Sequence, residues 1–500
     1  MNQIELLSPI KVKELYGLTP SNDQVTALVN DHREVVKGSC FIAIRGYNFD
    51  GHSVLAEVIE HGARILVVEE VPKDINIDDV VVVKVGSTQR IQALLANIFY
   101  QEPSKQLKVV AVTGTNGKTT TSTLISELLE ELNHTTGLIG TNGYKIADEH
   151  IPSENTTPNS LRLQSLFKQM VDSNCDDAVI EASSHALQLG RLSYTDVDCA
   201  IFTNLTREHL DFHKTMEHYA YAKSLLFSQL GQSLNKGTTK LSIINLDSEF
   251  SELMMEVTSS ELATYSLSDT NATVYASEIT EKPEGIEFKL HYNNRVYYSQ
   301  IPMLGEYNVS NYLAAFLCLT LFYGYSAQAV IDATDHFNGV EGRMQIVDLG
   351  QPFKVIVDFA HTPDALDNVL SSLITNKQNR LIAMMGHSGG NRDSGMRPEL
   401  GDILFKYADV VVLTADNPRN ENVEKICREM LGNHNEKEYF IIPDRKEAIH
   451  TILDFAEVGD TILFAGKGAE PYQIVGENEE HLSYNEVEII ENYLKKTKGV

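Results

Sequence analysis

The chain has 500 residues, of which 42% are hydrophobic, which is enough for sizeable cores and fits about three domains. Its 41 basic and 69 acidic residues give a formal net charge of −28, which excludes general attraction to nucleic acid or to an anionic membrane. The five cysteines (Cys40, Cys175, Cys199, Cys318 and Cys427) are scattered with no Cys-x-x-Cys pair, which predicts reduced thiols in the cytoplasm and excludes a disulfide frame or zinc site.

Residues 1–13 lack the apolar core of a signal peptide. Residues 1–104 read as a small α/β domain: strand then loop over 38–51, helix over 53–62, strands at 65–68 and 80–85. A turn-rich stretch at 101–105 marks the first boundary. Residues 105–340 begin with strands at 108–113, 136–140, 177–182, 198–203 and 240–245 and helices at 120–132, 160–173 and 216–230. That alternation argues a parallel sheet covered on both faces. Residues 262–304 read as antiparallel strands appended to it, followed by a helix near 309–324. The dense apolar part of that helix, 312–323, is too short to span a membrane. Residues 341–500 alternate again, with strands at 354–358, 380–385, 409–414, 438–442 and 460–465 and helices at 363–375, 397–407, 422–432 and 445–456. The expected fold class is α/β in three domains: 1–104, a central P-loop mononucleotide-binding parallel sheet over 105–340, and a Rossmann-like domain over 341–500.

The chemistry is densest at Val109-Val-Ala-Val-Thr-Gly-Thr-Asn-Gly-Lys-Thr-Thr120, a strand, a glycine-rich turn and the opening of a helix. Gly114 and Gly117 let backbone N–H groups turn inward, and the helix N-terminus adds a positive dipole end. Lys118 can reach terminal phosphates and the Thr119 hydroxyl can ligate Mg²⁺. The full phosphate-loop pattern asks for glycine at position 112, where Val112 stands. Glu181 ends the next predicted strand, where a carboxylate could complete the Mg²⁺ shell, or could be a solvated strand end. Ser183, Ser184 and His185 follow it. His209, Asp211 and His213 crowd one loop, which by spacing alone is weak metal evidence. Lys223 lies inside a mostly apolar helix, either partly buried with a depressed pKa or snorkelling off an apolar face.

With seven motifs in order, the chain resembles the Mur ligases of peptidoglycan synthesis, most of all those that add the third residue of the peptide. They are Thr113-Gly-Thr-Asn-Gly-Lys-Thr-Thr120, Asn155-Thr-Thr-Pro158, Glu181-Ala-Ser-Ser-His185, His209-Leu-Asp-Phe-His213, Ala222-Lys-Ser-Leu-Leu-Phe227, Asp358-Phe-Ala-His-Thr-Pro363 and Asp416-Asn-Pro-Arg419. The resemblance implies an ATP- and Mg²⁺-dependent ligase, acting as a monomer on UDP-N-acetylmuramoyl-dipeptide and a diamino acid. It implies that Gly114, Thr115, Asn116, Gly117, Lys118, Thr119 and Thr120 bind the ATP phosphates. Asn308, Arg343 and Asp358 would contact adenine, phosphate and ribose. Thr119, Glu181, His209 and a carbamylated Lys223 would hold Mg²⁺, with Lys118 also catalytic. His32, Asn155, Thr156, Thr157, Ser183 and Arg191 would bind the UDP substrate. Arg392, Asp416, Asn417, Pro418, Arg419, Gly466 and Glu470 would bind the incoming amino acid, with Arg392 also catalytic.

The chain departs from the family pattern at four places. Asp31-His32-Arg33 carries His32 where serine is usual, and Met396, Ala469 and Phe359 replace the usual Lys, His and Tyr. Arg419 argues for meso-diaminopimelate over L-lysine, because the extra carboxylate calls for a bidentate cation; the alternative is a loop-capping pair with Glu421. Glu470-Pro-Tyr-Gln473 resembles the lysine-adding group instead. Two other readings compete: a folylpolyglutamate- or cyanophycin-type ligase, and a nonenzymatic nucleotide switch that would need the phosphate loop but not Lys223.

Overall fold

The computed structural model describes residues 1–46, 49–71, 73–153, 155–230, 236–282, 285–375, 377–390 and 394–498. Three large sheets follow one another along the chain. The first has five strands in the order Glu14–Gly17, Val81–Lys84, Ile65–Val68, Cys40–Ile42, Leu28–Val29. All its pairs are parallel except that of the edge strand Glu14–Gly17. Alternate residues feed two cores: Ile65 and Val67 into one, Leu66 and Val68 into the other. The helix Thr88–Phe99 is absent from the sequence reading, although Ile91, Leu95 and Phe99 recur at helical spacing on its core side beside Thr88, Gln92 and Asn97.

The central sheet has eleven strands. Its middle runs Leu241–Asn245, Cys199–Phe202, Lys108–Thr113, Asp177–Glu181, Thr136–Gly140, all parallel. Lys108–Thr113 is buried on both sides, as a strand between two helical layers must be. Val110 and Val112 pack with Leu124, Leu128 and Leu313, while Val109 and Ala111 pack with Phe167 and Tyr219. The stretch 262–304 differs from expectation. Glu261–Ser266 and Val274–Lys282 continue the parallel order, and antiparallel pairing begins only with Gly285–Tyr292 and Arg295–Ile301. The crossover is a seven-residue helix, Ser251–Val257, too short to show a helical period in the sequence. The apolar helix is Glu306–Leu317, continued by a π-turn at Cys318–Phe322. No helix among the described residues is long and apolar enough to cross a membrane.

The third sheet runs Gln345–Ile346, Lys354–Asp358, Thr461–Ala465, Leu381–Met385, Val410–Leu413, Glu438–Ile441, parallel except for its first pair. A hairpin, Tyr472–Val475 with Glu480–Ser483, and the helix Glu486–Lys498 close the chain; neither is in the sequence reading.

Leu313 is fully buried in the central core. Leu313→Ala is expected to destabilise the protein by roughly 2–5 kcal/mol, read as a lower denaturation midpoint.

Candidate active site

Parallel strands present their C-terminal ends along one edge, and a crevice opens where the strand order reverses. Here that point is Lys108–Thr113, flanked by Asp177–Glu181 and Cys199–Phe202. Beyond Thr113 the chain turns through Gly114 (φ +157) and Gly117 (φ +83). A Cβ on Gly114 would stand 1.8 Å from Thr203 Oγ1, and one on Gly117 2.3 Å from Asn311 Oδ1, so both positions require glycine. The next strand end holds the loop. Thr115 N donates to Asn204 O (2.9 Å), Asn116 N to Asn204 Oδ1 (2.9 Å), and Thr203 Oγ1 to Asn116 O (2.6 Å). The helix Lys118–Glu131 starts with no side-chain cap, leaving its first N–H groups facing the crevice. Lys118 Nζ folds back onto Gly114 O (2.9 Å) and Thr115 O (2.8 Å).

Glu181 is the last residue of its strand and is 1% exposed. Its carboxylate accepts from Thr141 N (2.8 Å) and Thr141 Oγ1 (3.1 Å), and among the described residues it has no ion-pair partner. Thr157 Oγ1 donates to Glu181 O (2.6 Å) and accepts from Ser183 N (3.0 Å), while Arg191 Nη1 donates to Thr157 O (2.7 Å). Thr156 Oγ1 meets Thr141 Oγ1 at 3.0 Å, and Asn155 O accepts from Tyr144 OH at 2.9 Å. Glu181 and these five expected substrate residues therefore form one wall.

Lys223 is 1% exposed, which overturns the snorkelling alternative. Its Nζ donates to Gly114 O (2.7 Å) and lies 4.7 Å over the Tyr219 ring, behind the phosphate loop. Desolvation, with the nearby Lys118 charge, holds its amine well below the ordinary lysine value. Lys118 is lowered by the same desolvation, against the pull of Glu208 and Glu181. His209 sits at φ +55, and burial pushes its imidazole down to about 4 despite the adjacent Glu208.

Glu208 escaped the sequence reading, although it lies inside a loop singled out for its histidines. It is buried, with Oε1 3.2 Å from His361 Nε2 and 3.5 Å from His209 Nε2. Burial opposes its charge, but His209, His361 and Lys118 together hold the carboxyl well below the usual range. Asp364 was missed too; its Oδ2 accepts from Asn116 Nδ2 (2.8 Å) and Thr206 Oγ1 (3.3 Å). No local pattern marks either residue, because the hydrogen bonds to His361, Asn116 and Thr206 come from far along the chain.

The third sheet supplies the opposite wall. Arg343 Nη2 donates to Thr119 Oγ1 (3.1 Å) and its guanidinium stacks on Phe359 (4.4 Å). Asp358 accepts from Met344 N and Ala360 N, both at 2.7 Å. Asn308, buried, donates to Leu304 O (2.7 Å) and accepts from Asn311 (2.9 Å). Lys467, absent from the sequence reading, is fully buried and donates to Asn417 Oδ1 (2.8 Å) and Glu470 Oε2 (2.6 Å). Arg419, at φ +51, donates to Gly389 O (3.3 Å) and pairs with Glu479 (3.2 Å). The expected pair with Glu421 does not form, because Glu421 is taken by the buried Arg397 at 2.7 Å.

One cavity of about 1080 Å³ joins these walls, lined among others by Lys118, Glu181, Arg191, Asn308, Arg343, Asp416, Asn417, Arg419, Gly466 and Glu470. Gly114, Lys223 and Pro418 are not on its surface, and His32 lies apart from it, stacked on Phe49 at 5.6 Å. Arg392 lies outside the described residues. Among the described residues the only group of three ligating side chains within mutual reach is His134, Asp176 and Asp177. Their atoms are engaged with one another and with Thr135 N, Tyr323 and Tyr325.

The Mur ligase middle domain matches residues 112–319, and the Mur ligase glutamate ligase domain residues 342–468. A UDP-N-acetylmuramoyl-L-alanyl-D-glutamate--2,6-diaminopimelate ligase of Bacillus velezensis is 41% identical over 90% of this chain and 91% of its own length. The corresponding L-lysine ligase of Staphylococcus haemolyticus is 38% identical over 95% and 94%. A solved structure of a 2,6-diaminopimelate ligase of this kind superposes with a TM-score of 0.69 at 30% identity, covering 100% of this chain and 99% of the other. The two family matches fall on the two sheets whose loops face each other across the cavity, and the chain belongs to the Mur ligase family.

Proposed function

We propose that this chain is an ATP-dependent ligase that joins meso-diaminopimelate to UDP-N-acetylmuramoyl-L-alanyl-D-glutamate in peptidoglycan precursor synthesis. The observation that carries it is the single cavity of about 1080 Å³, in which a phosphate loop, the Thr157–Arg191 wall and the Asp416–Glu470 wall share one space. Three substrates need such a site, because the activated intermediate must pass between them without meeting water.

The D-glutamyl carboxylate attacks the γ-phosphorus of ATP, giving an acyl phosphate and ADP. The amino group, having lost a proton, then attacks the acyl carbon and phosphate leaves. Residues 114–120 cradle the phosphates, and Lys118 offsets charge on the transferring phosphoryl group. Arg343, already on Thr119, approaches the same phosphates from the third sheet, with Asn308 and Asp358 toward the nucleoside. Asn155, Thr156, Thr157, Ser183 and Arg191 take the UDP-sugar peptide, and Asp416, Asn417, Arg419, Gly466 and Glu470 the amino acid. Glu181, a buried carboxylate with no ion-pair partner among the described residues, would hold a hard divalent cation together with Thr119 and His209, which line the same cavity, and a carbamylated Lys223 would join them from behind the phosphate loop. Bound Mg²⁺ would supply charge neutralisation at the phosphoryl oxygens. The desolvated Lys223 amine is suited to carbamylation, which requires the unprotonated form.

Arg419 supports the meso-diaminopimelate reading, since its guanidinium borders the cavity with only the exposed Glu479 as an ion partner among the described residues. Ala469 and Glu470-Pro-Tyr-Gln473 favour L-lysine as the second reading. A competition assay with both amino acids separates them. Wild type is expected to prefer meso-diaminopimelate and Arg419→Ala to lose that preference; preference of the wild type for L-lysine overturns the assignment.

Lys223→Ala is expected to abolish turnover, with partial recovery on adding short carboxylic acids. Mass spectrometry showing an unmodified Lys223 in active enzyme rules the carbamate out. A Cβ on Gly140 would stand 2.2 Å from Glu181 Oε1, the end of a buried side chain held by Thr141. Gly140→Ala is therefore expected to displace the carboxylate, lowering kcat by about 10²-fold while the protein still unfolds cooperatively.

A further inference from the structure

Arg445 and Glu486 form a buried ion pair beneath the amino-acid wall, 2% and 1% exposed. Arg445 opens the helix Arg445–Phe455 and Glu486 the helix Glu486–Lys498. The pairing is a two-point fork, Nε to Oε2 at 2.5 Å and Nη2 to Oε1 at 2.8 Å, and Tyr484 OH donates to Oε2 at 3.0 Å. Two further guanidinium N–H groups go to backbone carbonyls: Nη1 to Ala415 O (3.1 Å) and Nη2 to Ala465 O (2.9 Å).

Those carbonyls belong to the residues immediately before Asp416 and before Gly466. Their strands, Val410–Leu413 and Thr461–Ala465, are not neighbours, since Leu381–Met385 lies between them. Among the described residues no strand pairing joins the two loops directly; the Arg445 guanidinium bridges their bases, and farther out Asn417 Nδ2 donates to Glu470 Oε2 at 3.1 Å. Farther along the loops, Lys467 ties Asn417 to Glu470, so the wall is cross-linked at two levels. A buried ion pair adds little net stability compared with apolar groups of similar volume, so stability alone is a poor account of this one. A planar fork can satisfy a carboxylate and two carbonyls together, which an ammonium point charge cannot.

We propose that Arg445, oriented by Glu486, is a positioning residue that sets the distance between the Asp416–Asn417 and Gly466–Glu470 loops and thereby the affinity for the incoming diamino acid. This rests on the reading of those loops as the amino-acid site. The test is the KM for each of the three substrates, with thermal unfolding, in Arg445→Lys, in the double variant Arg445→Met with Glu486→Leu, and in Asn417→Ala. Both Arg445 variants are expected to raise the amino-acid KM by about tenfold while the KM values for ATP and the UDP substrate stay within about twofold. The double variant removes both charges together and so leaves no unpaired buried carboxylate, which keeps the test informative if Arg445→Lys folds poorly. An unchanged amino-acid KM in the double variant, or a parallel rise of all three KM values with a lower unfolding temperature, overturns the proposal. If Asn417→Ala leaves the amino-acid KM unchanged, the site reading fails and the proposal with it. If Asn417→Ala raises it while the Arg445 variants do not, positioning alone is refuted.

Discussion

Two lysine side chains converge on one carbonyl. Gly114 O accepts from Lys118 Nζ at 2.9 Å and from Lys223 Nζ at 2.7 Å, one from each side of the phosphate loop. Neither amine is comfortable there, since both are desolvated, with the Lys118 charge acting on Lys223 and the Arg343 charge on Lys118. The buried Glu208 offsets part of that charge, and in turn depends on His209 and His361. The arrangement has more cationic capacity than the protein alone satisfies, which is what a site for a polyphosphate requires before its ligand arrives.

That loop also joins the two larger sheets. Arg343 reaches Thr119, His361 reaches Glu208, and Asp364 reaches both Asn116 and Thr206. Each contact pairs a residue of the third sheet's chain segment with one on the phosphate loop or the loop after Cys199–Phe202. Burial and hydrogen bonding at the nucleotide end thus depend on both segments, and a change in their separation would rehydrate Lys118 and Glu208 together. The amino-acid wall is built differently. Its loops are held within the third sheet, by Lys467 above and Arg445 below, so it keeps its shape independently of those contacts.

Local pattern carried much of the architecture. The helix over 397–407 and the strands at 108–113, 354–358 and 65–68 have the same bounds in the sequence reading and in the structure, because each is a run of one periodicity between turn residues. Elements without that contrast were not legible: the short Ser251–Val257, and the hairpin Tyr472–Val475 with Glu480–Ser483. The motifs marked Lys118, Glu181, His209, Lys223 and Arg419, since their chemistry is announced by residue type and by the strand or helix end on which they sit.

What the sequence by itself determined is the phosphate loop, the α/β alternation and part of the set of side chains that face the cavity. Tertiary structure alone decided that Lys223 stands behind the loop and not on the surface, and that Glu208 is buried beside His209, His361 and Lys118. It decided that Arg419 answers to Glu479 because Arg397 has taken Glu421, and that His32 stands apart from the cavity. Periodicity and turn chemistry act over a few residues, whereas the burial of Lys223 and Glu208 and the pairing of Arg419 depend on partners 24 to 153 positions away, brought near only when the sheets have closed.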